Sequence, residues 1–144
     1  MSDIVTTELA DTGVLTVCLN RPEVLNSLNR PIVERLTEVL IDADKDDGVR
    51  AIIVTGEGRG FCAGADLANG QWPSNEGWSG GDVTANAMET GYNPLVRALV
   101  HNSKPVVTAV NGVAAGGGVG IALAGDIVIA GESAKFKLVF ARQL

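Results

Sequence analysis

Three short runs constrain the fold of this chain more than any other feature: "AIIVTG" (Ala51–Gly56), "KPVVTAVNG" (Lys104–Gly112) and "DIVIAG" (Asp126–Gly131). Each has the length of a strand, is rich in β-branched residues and is bounded by turn residues, as expected of strands covered on both faces of a sheet. Upstream, Ile4–Leu9 and Val14–Leu19 flank Ala10-Asp11-Thr12-Gly13 and read as a hairpin. After the loop Asn20-Arg21-Pro22-Glu23, Asn29 is an N-cap with Pro31 in the first turn. Ile32, Leu36, Val39, Leu40 and Ala43 follow at helical spacing, to a stop near Asp46-Asp47-Gly48. From Tyr92 to His101, a stripe of Leu95, Val96, Leu99 and Val100 predicts an amphipathic helix lying on the sheet, with Pro94 near its start. The segment from Asn69 to Ala87 turns to Gly, Ser, Asn and Trp without a period and reads as a long surface loop, a lid or a disordered stretch. Strand and helix alternate through the middle, which predicts an α/β fold in a single domain, residues 1–144.

Composition narrows the class. The 144 residues suffice for one core, since a chain of this size buries roughly 68% of its unfolded surface. A formal charge of −6 with scattered basic residues argues against a nucleic-acid surface, which needs clustered Lys and Arg. The absence of a long uncharged apolar run and of a basic-apolar leader predicts a soluble cytoplasmic protein with no membrane partner. Cys18 and Cys62 match no metal-ligand spacing and read as reduced thiols, so no metal site is expected.

Eighteen glycines in so apolar a chain call for a physical account. Gly116, Gly117 and Gly118 stand together in "VNGVAAGGGVGIALAGD", where a packed helix is expected. Exposed N–H groups at a helix start would suit an anion. Neither phosphate motif fits, however: Ile121 stands where the dinucleotide fingerprint needs its third glycine, and no lysine lies between Lys104 and Lys135 to complete a P-loop. Close packing of a small-residue helix against its neighbours explains the run equally well. The balance shifts with a second glycine-rich turn, "GEGRGFCAGADL" (Gly56–Leu67), which also follows a covered strand. Backbone donors from two such turns can converge as an oxyanion hole, a contribution of about 3 kcal/mol per donor.

The segments "NRPEVLNSL", "GRGFCAGADL", "KPVVTAVNGVAAGGG" and "GDIVIAGESAKF" together resemble the crotonase superfamily, the enoyl-CoA hydratase/isomerase family, over nearly the whole chain. "YNPLVRALV" and "NGVAAGGGVGIALAGDIVIA" resemble most the branch that contains phenylacetyl-CoA epoxide isomerases. The resemblance implies a crotonase-like spiral of repeated β-β-α units, of which this chain holds the N-terminal half without the C-terminal helical part, and a homotrimer or hexamer. It implies that the N–H groups of Ala65 and Gly117 bind the thioester oxygen of an acyl-CoA substrate. Ala63, Asp66, Leu67 and Ala68 would hold the coenzyme A portion, and Val24 would line its groove. No cofactor beyond the coenzyme A carried by the substrate is expected.

The departures from the family pattern bear on the reaction. Hydratases of the family use two glutamates, and these positions are Gly120 and Phe140 here, substrate-site residues without a proton to exchange. Isomerases of the branch use one acid, from a Gly-Leu-x-Pro-Asp turn that would follow Leu144. The resemblance therefore implies isomerisation before hydration, with a nonstandard hydratase or an inactive CoA-thioester binder as alternatives. Among the other candidates, Asp66 is expected to brace its turn and Asp126 to cap one, while His101 is expected at a solvated helix end. Cys62 beside the glycine turn allows a covalent role but has no base near it in sequence. Trp72, Trp78, Met88 and Tyr92 could wall an acyl pocket.

Overall fold

The computed structural model describes residues 3–139. Eight strands and four helices follow in the order β1 (Val5–Leu9), β2 (Val14–Leu19), α1 (Arg30–Lys45), β3 (Ala51–Gly56), β4 (Gly60–Cys62), α2 (Gly80–Ala87), α3 (Asn93–Val100), β5 (Val106–Val110), β6 (Val113–Ala115), α4 (Gly117–Leu123), β7 (Ile127–Ala130) and β8 (Lys135–Lys137). A 3-10 turn (Pro22–Val24) precedes α1, and a π-helical turn (Met88–Tyr92) joins α2 to α3. The larger sheet has the order β1-β2-β3-β5-β7, antiparallel at β1-β2 and parallel elsewhere. The smaller sheet, β4-β6-β8, is parallel throughout. After each of β3, β5 and β7 the chain crosses to the smaller sheet, so a strand-strand unit repeats as the β-β-α spiral requires.

The local causes are readable. Asn29 caps α1 by accepting from the Ile32 N–H at 3.2 Å, and Pro31 occupies the first turn, where its missing donor costs nothing. The buried face of α1, Ile32, Val33, Leu36, Val39, Leu40 and Ala43, packs with Ile52, Val54, Leu95 and Leu99 in the core. Side chains alternate in β3 and β5, with Ile52, Val54, Val106, Thr108 and Val110 buried and their neighbours only half-buried. The expected cover on both faces is therefore complete on one face of these strands.

Three expectations are corrected. DIVIAG does form β7, but all four of its residues are exposed, Ile129 by 58%, because this edge strand pairs only with β5 and no described element covers it. In α3 only Leu95 and Leu99 are buried, while Val96 and Val100 face out, and the helix packs mainly on α1 instead of on the sheet. The stretch expected to be loop up to Ala87 ends in a helix, α2, started by a capping box in which the Ser79 side chain accepts from the Asp82 N–H and the Asp82 carboxylate accepts from the Ser79 N–H.

Candidate active site

Two glycine-bearing turns meet where the larger sheet hands the chain to the smaller one. The first leads from β3 through β4 into Ala63–Ala68, and side chains far away in sequence hold it. Asn26 is fully buried with φ +56; its Nδ2 donates to Glu57 O at 3.0 Å and Gly60 O at 2.9 Å, and its Oδ1 accepts from Arg21 N–H at 2.8 Å. Asn111, at the β5–β6 turn, reaches the same place: Nδ2 donates to Gly58 O at 2.9 Å and Oδ1 accepts from Gly56 N–H at 3.2 Å. The segment beyond β4 then runs beside the chain entering α1. Ala63 N–H donates to Leu25 O, Leu28 N–H to Gly64 O, and Asp66 N–H to Leu28 O, at 2.7–2.9 Å.

Asp66 locks this docking. Its Oδ1 accepts from Asn69 N–H at 2.9 Å, and its Oδ2 pairs with Arg21 Nη2 at 3.1 Å, the two side chains being 8% and 14% exposed. Arg21 Nη1 also donates to Ser27 O at 2.7 Å. The Asn69 N–H, with help from the Arg21 guanidinium, holds the Asp66 carboxyl below the usual carboxylate range against the opposing pull of burial. The expected bracing role is what these contacts perform. A depressed folded-state pKa contributes stability above about pH 4 that is lost as pH falls through the folded value. Asp66→Asn is accordingly expected to lower Tm by a few degrees at pH 7, with the gap to wild type closing as pH falls through the depressed folded value; parallel Tm profiles from pH 7 to 2 would show that the pair contributes nothing.

The second turn carries the glycine triplet, and its members do different jobs. Gly116 has φ +52, which a side chain tolerates poorly. A Cβ on Gly118 would collide with the Cys62 carbonyl oxygen, so this glycine is required by packing. A Cβ on Gly117 would meet nothing closer than Leu28 Cδ1 at 3.7 Å, an ordinary contact, so packing does not demand glycine there. The turns touch at Gly64: with φ +88, a Cβ there would lie 2.6 Å from Ala115 O and 3.3 Å from Gly117 N. Covalent geometry then keeps Ala65 N at most about 7 Å from Gly117 N. Among the described residues, neither of these two N–H groups donates to a protein acceptor.

Ala65, Asp66 and Leu67 line a cavity of about 400 Å³ with Trp72, Met88 and Tyr92. Ala65 is exposed, and Leu67 is 97% exposed. Trp78 is not among the lining residues, nor are Val24, Ala63, Ala68, Gly117 and Gly120. Val24 is 38% exposed on the 3-10 turn, Ala68 is exposed, and Ala63 and Gly117 are half-buried. Gly120 is exposed, and a Cβ there would meet no atom within 4 Å. Phe140 lies outside the described residues.

Of the described titratable groups at the cavity, Asp66 is committed to its brace, and burial pushes the Tyr92 phenol above its usual range, its hydroxyl donating to Leu28 O at 3.4 Å. The Cys62 thiol is buried and pushed up to about 12, which removes the thiolate a covalent role would need. Asp126 lies away from the cavity; its Oδ2 accepts from Val106 N–H at 2.8 Å where β5 begins, a structural duty. His101 ends α3 in solvent. Sequence reasoning missed Arg21, Asn26 and Asn111, whose duties depend on docking across the chain; an asparagine at a positive φ leaves no periodic signal.

Residues 10–143 match the family model described as enoyl-CoA hydratase/isomerase. The chain is 48% identical over 136 residues to the 1,2-epoxyphenylacetyl-CoA isomerase of Escherichia coli, an alignment covering 90% of this chain and 48% of that protein. It is 42% identical to a probable enoyl-CoA hydratase of Rhodobacter capsulatus, covering 90% of this chain and 47% of that one. The crystal structure of an enoyl-CoA hydratase from Bacillus anthracis superposes with a TM-score of 0.82 at 31% identity, over 94% of this chain and 50% of the other. The chain thus spans about half the length of the curated relatives it matches. With residues 10–143 of the chain matching the family model and the spiral fold shared with solved relatives, this chain belongs to the enoyl-CoA hydratase/isomerase family.

Proposed function

We propose that this chain forms the thioester-binding part of an acyl-CoA isomerase, in which the N–H groups of Ala65 and Gly117 donate to the carbonyl oxygen of the thioester. The observation that supports the reading is the contact of the two glycine turns at Gly64, which keeps two backbone donors, unengaged among the described residues, within about 7 Å of each other, with Ala65 in the lining of a 400 Å³ cavity. Both donors are held before the reaction begins, so their dipoles stabilise the developing oxyanion without reorganising, worth about 3–4 kcal/mol each. The acyl group lies in the cavity against Trp72, Met88 and Tyr92. The coenzyme A portion runs over Ala63–Ala68 and past Val24.

Isomerisation is favoured over hydration because Gly120 offers no carboxylate although a side chain would have room there. In the shift of a 3-enoyl to a 2-enoyl thioester, a base takes a proton from C2, the electron pair moves onto the thioester oxygen as a dienolate, and the same proton returns at C4. One carboxylate suffices for both transfers. Asp66 is not that carboxylate, since both its oxygens are engaged. No cofactor enters the scheme, and assembly as a trimer or hexamer belongs to the same proposal.

The test follows 3-enoyl-CoA isomerisation and 2-enoyl-CoA hydration in the full-length protein, together with calorimetric titration by a saturated acyl-CoA. Isomerisation should outrun hydration by at least about 100-fold, the contribution of a missing acid-base group. Fast hydration would overturn the choice of reaction, and saturable binding without turnover of either substrate would favour a binding protein.

A further inference from the structure

The Ala65 N–H is the last link of a hydrogen-bonded series that starts on a cation. Arg21 Nη1 donates to Ser27 O at 2.7 Å, and the peptide group that carries this oxygen also carries the Leu28 N–H. That N–H donates to Gly64 O, again at 2.7 Å, and the Gly64 oxygen shares its peptide group with the Ala65 N–H. A guanidinium and two peptide groups therefore stand in line, each peptide accepting at its oxygen and donating from its nitrogen.

The chain reverses on itself to build the first link. Leu25 and Asn26 take left-handed φ values of +52 and +56, and Asn26 N–H closes the turn on Arg21 O at 2.9 Å. Residues with side chains seldom adopt this conformation, and it persists only where surrounding contacts impose it. The buried Asn26 amide supplies those contacts, and the reversal brings Ser27 O to the guanidinium. Leu28 then forms an isolated parallel bridge with Ala65, donating to Gly64 O and accepting from Asp66 N–H. Both peptide groups that flank Ala65 are thus anchored to Leu28. Since N–H and C=O point in opposite directions in a trans peptide, the Ala65 N–H is left aimed away from Leu28. Ser27, Leu28 and Gly64 are buried, so the series runs through protein and reaches an exposed residue only at Ala65.

Resting on the acyl-CoA reading above, we infer that Arg21 is a positioning residue for the reaction: through the Ser27-Leu28 and Gly64-Ala65 peptide groups it fixes the direction of the Ala65 N–H and polarises it toward a developing oxyanion. Hydrogen bonds in series strengthen one another, most of all away from water, and one made by an ionised donor is roughly twice as strong as a neutral one. Asp66 has the complementary duty. Its carboxylate, one residue from the donor, would by itself oppose a negative charge forming there. Paired with Arg21 Nη2, it is neutralised and leaves Nη1 for Ser27 O.

The test reads the carbonyl stretch of a saturated acyl-CoA, isotope-labelled at the thioester carbon, bound to the full-length protein, together with kcat and KM for 3-enoyl-CoA isomerisation. In wild type the bound stretch should lie below that of the free thioester, as a polarised carbonyl requires. Arg21→Gln should return it part of the way to the free value and lower kcat about 10-fold with little change in KM, the pattern of an interaction made in the transition state. Arg21→Lys keeps the charge without the two-pronged contact and should fall between. Asp66→Asn separates polarisation from bracing, because it breaks the same ion pair while Arg21 keeps Ser27 O; its bound stretch should not rise. Should Arg21→Gln not fold, Arg21→Lys and Asp66→Asn still decide, with a rise expected only in the first. A stretch unmoved in the Arg21 variants, or one that rises as much in Asp66→Asn, would overturn this inference alone. A wild-type stretch equal to that of the free thioester would overturn the acyl-CoA reading and this inference with it.

Discussion

Gly117→Pro is expected to lower kcat/KM about 10²–10³-fold with little change in Tm. Gly117 opens α4, and the first position of a helix is where proline is best tolerated, because its N–H has no partner within the helix and its φ suits the turn. The substitution therefore deletes one donor and retains the helix, which is the cleanest removal of a backbone hydrogen bond available at this site. Gly117→Ala is the control. Its N–H remains and its Cβ meets Leu28 Cδ1 at 3.7 Å, so the fold accepts it, and any lost turnover reports crowding of the thioester instead of a missing donor. Since α4 has only seven residues, the effect depends on the individual N–H group and not on a helix dipole. Equal turnover in wild type and Gly117→Pro, measured under the same substrate conditions, would remove Gly117 from the chemistry.

Asn26→Ala is expected to cost about 2–4 kcal/mol in urea unfolding, and to weaken acyl-CoA binding in the molecules that remain folded. The side chain is fully buried and satisfies groups on two segments: the Arg21 N–H beside it, and the carbonyls of Glu57 and Gly60 on the β3–β4 turn. Alanine would leave the Arg21 N–H and Glu57 O without these partners and would itself occupy the left-handed region, which asparagine tolerates better. Gly60 O keeps a longer bond from Asn111 Nδ2 at 3.3 Å, which is why the expected loss stays below that of three orphaned groups. Because the β3–β4 turn leads directly into Ala63–Ala65, the same change is expected to loosen the proposed thioester donor at Ala65. Asn26→Asp retains the acceptor toward Arg21 but not the two donors, and should fall between. A loss under about 1 kcal/mol for Asn26→Ala would mean that the turn is held without it.

What could be read from the sequence, and what could not, follows from the range of the interactions involved. The strands β1, β2, β3, β5 and β7 and the helix α1 announce themselves because their signals are local: β-branched runs between turns, an asparagine cap, a helical stripe. Strands β4, β6 and β8 have three residues each, too few to show alternation, and exist because the spiral brings them side by side. Helix α2 opens on Gly80-Gly81, poor helix formers, and depends on its Ser79–Asp82 box. The exposure of β7 was not legible at all, since an apolar run reports what a strand can be buried against and not which neighbours it has.

The site divides in the same way. The brace at Asp66 was readable as a short polar side chain in a tight turn, although its partner Arg21, 45 residues away, was not. Ala65 and Gly117 were named through resemblance to the family; nothing in spacing alone separates Gly117 from Gly118, yet one is demanded by the Cys62 carbonyl and the other is not.

In a crystal structure of the full-length protein with a nonreactive acyl-CoA thioester, the thioester oxygen is expected 2.7–3.1 Å from both the Ala65 and the Gly117 nitrogens, with the acyl group against Trp72 and Tyr92. A thioester oxygen bound to side chains or solvent, with either nitrogen more than about 3.5 Å away, would contradict it.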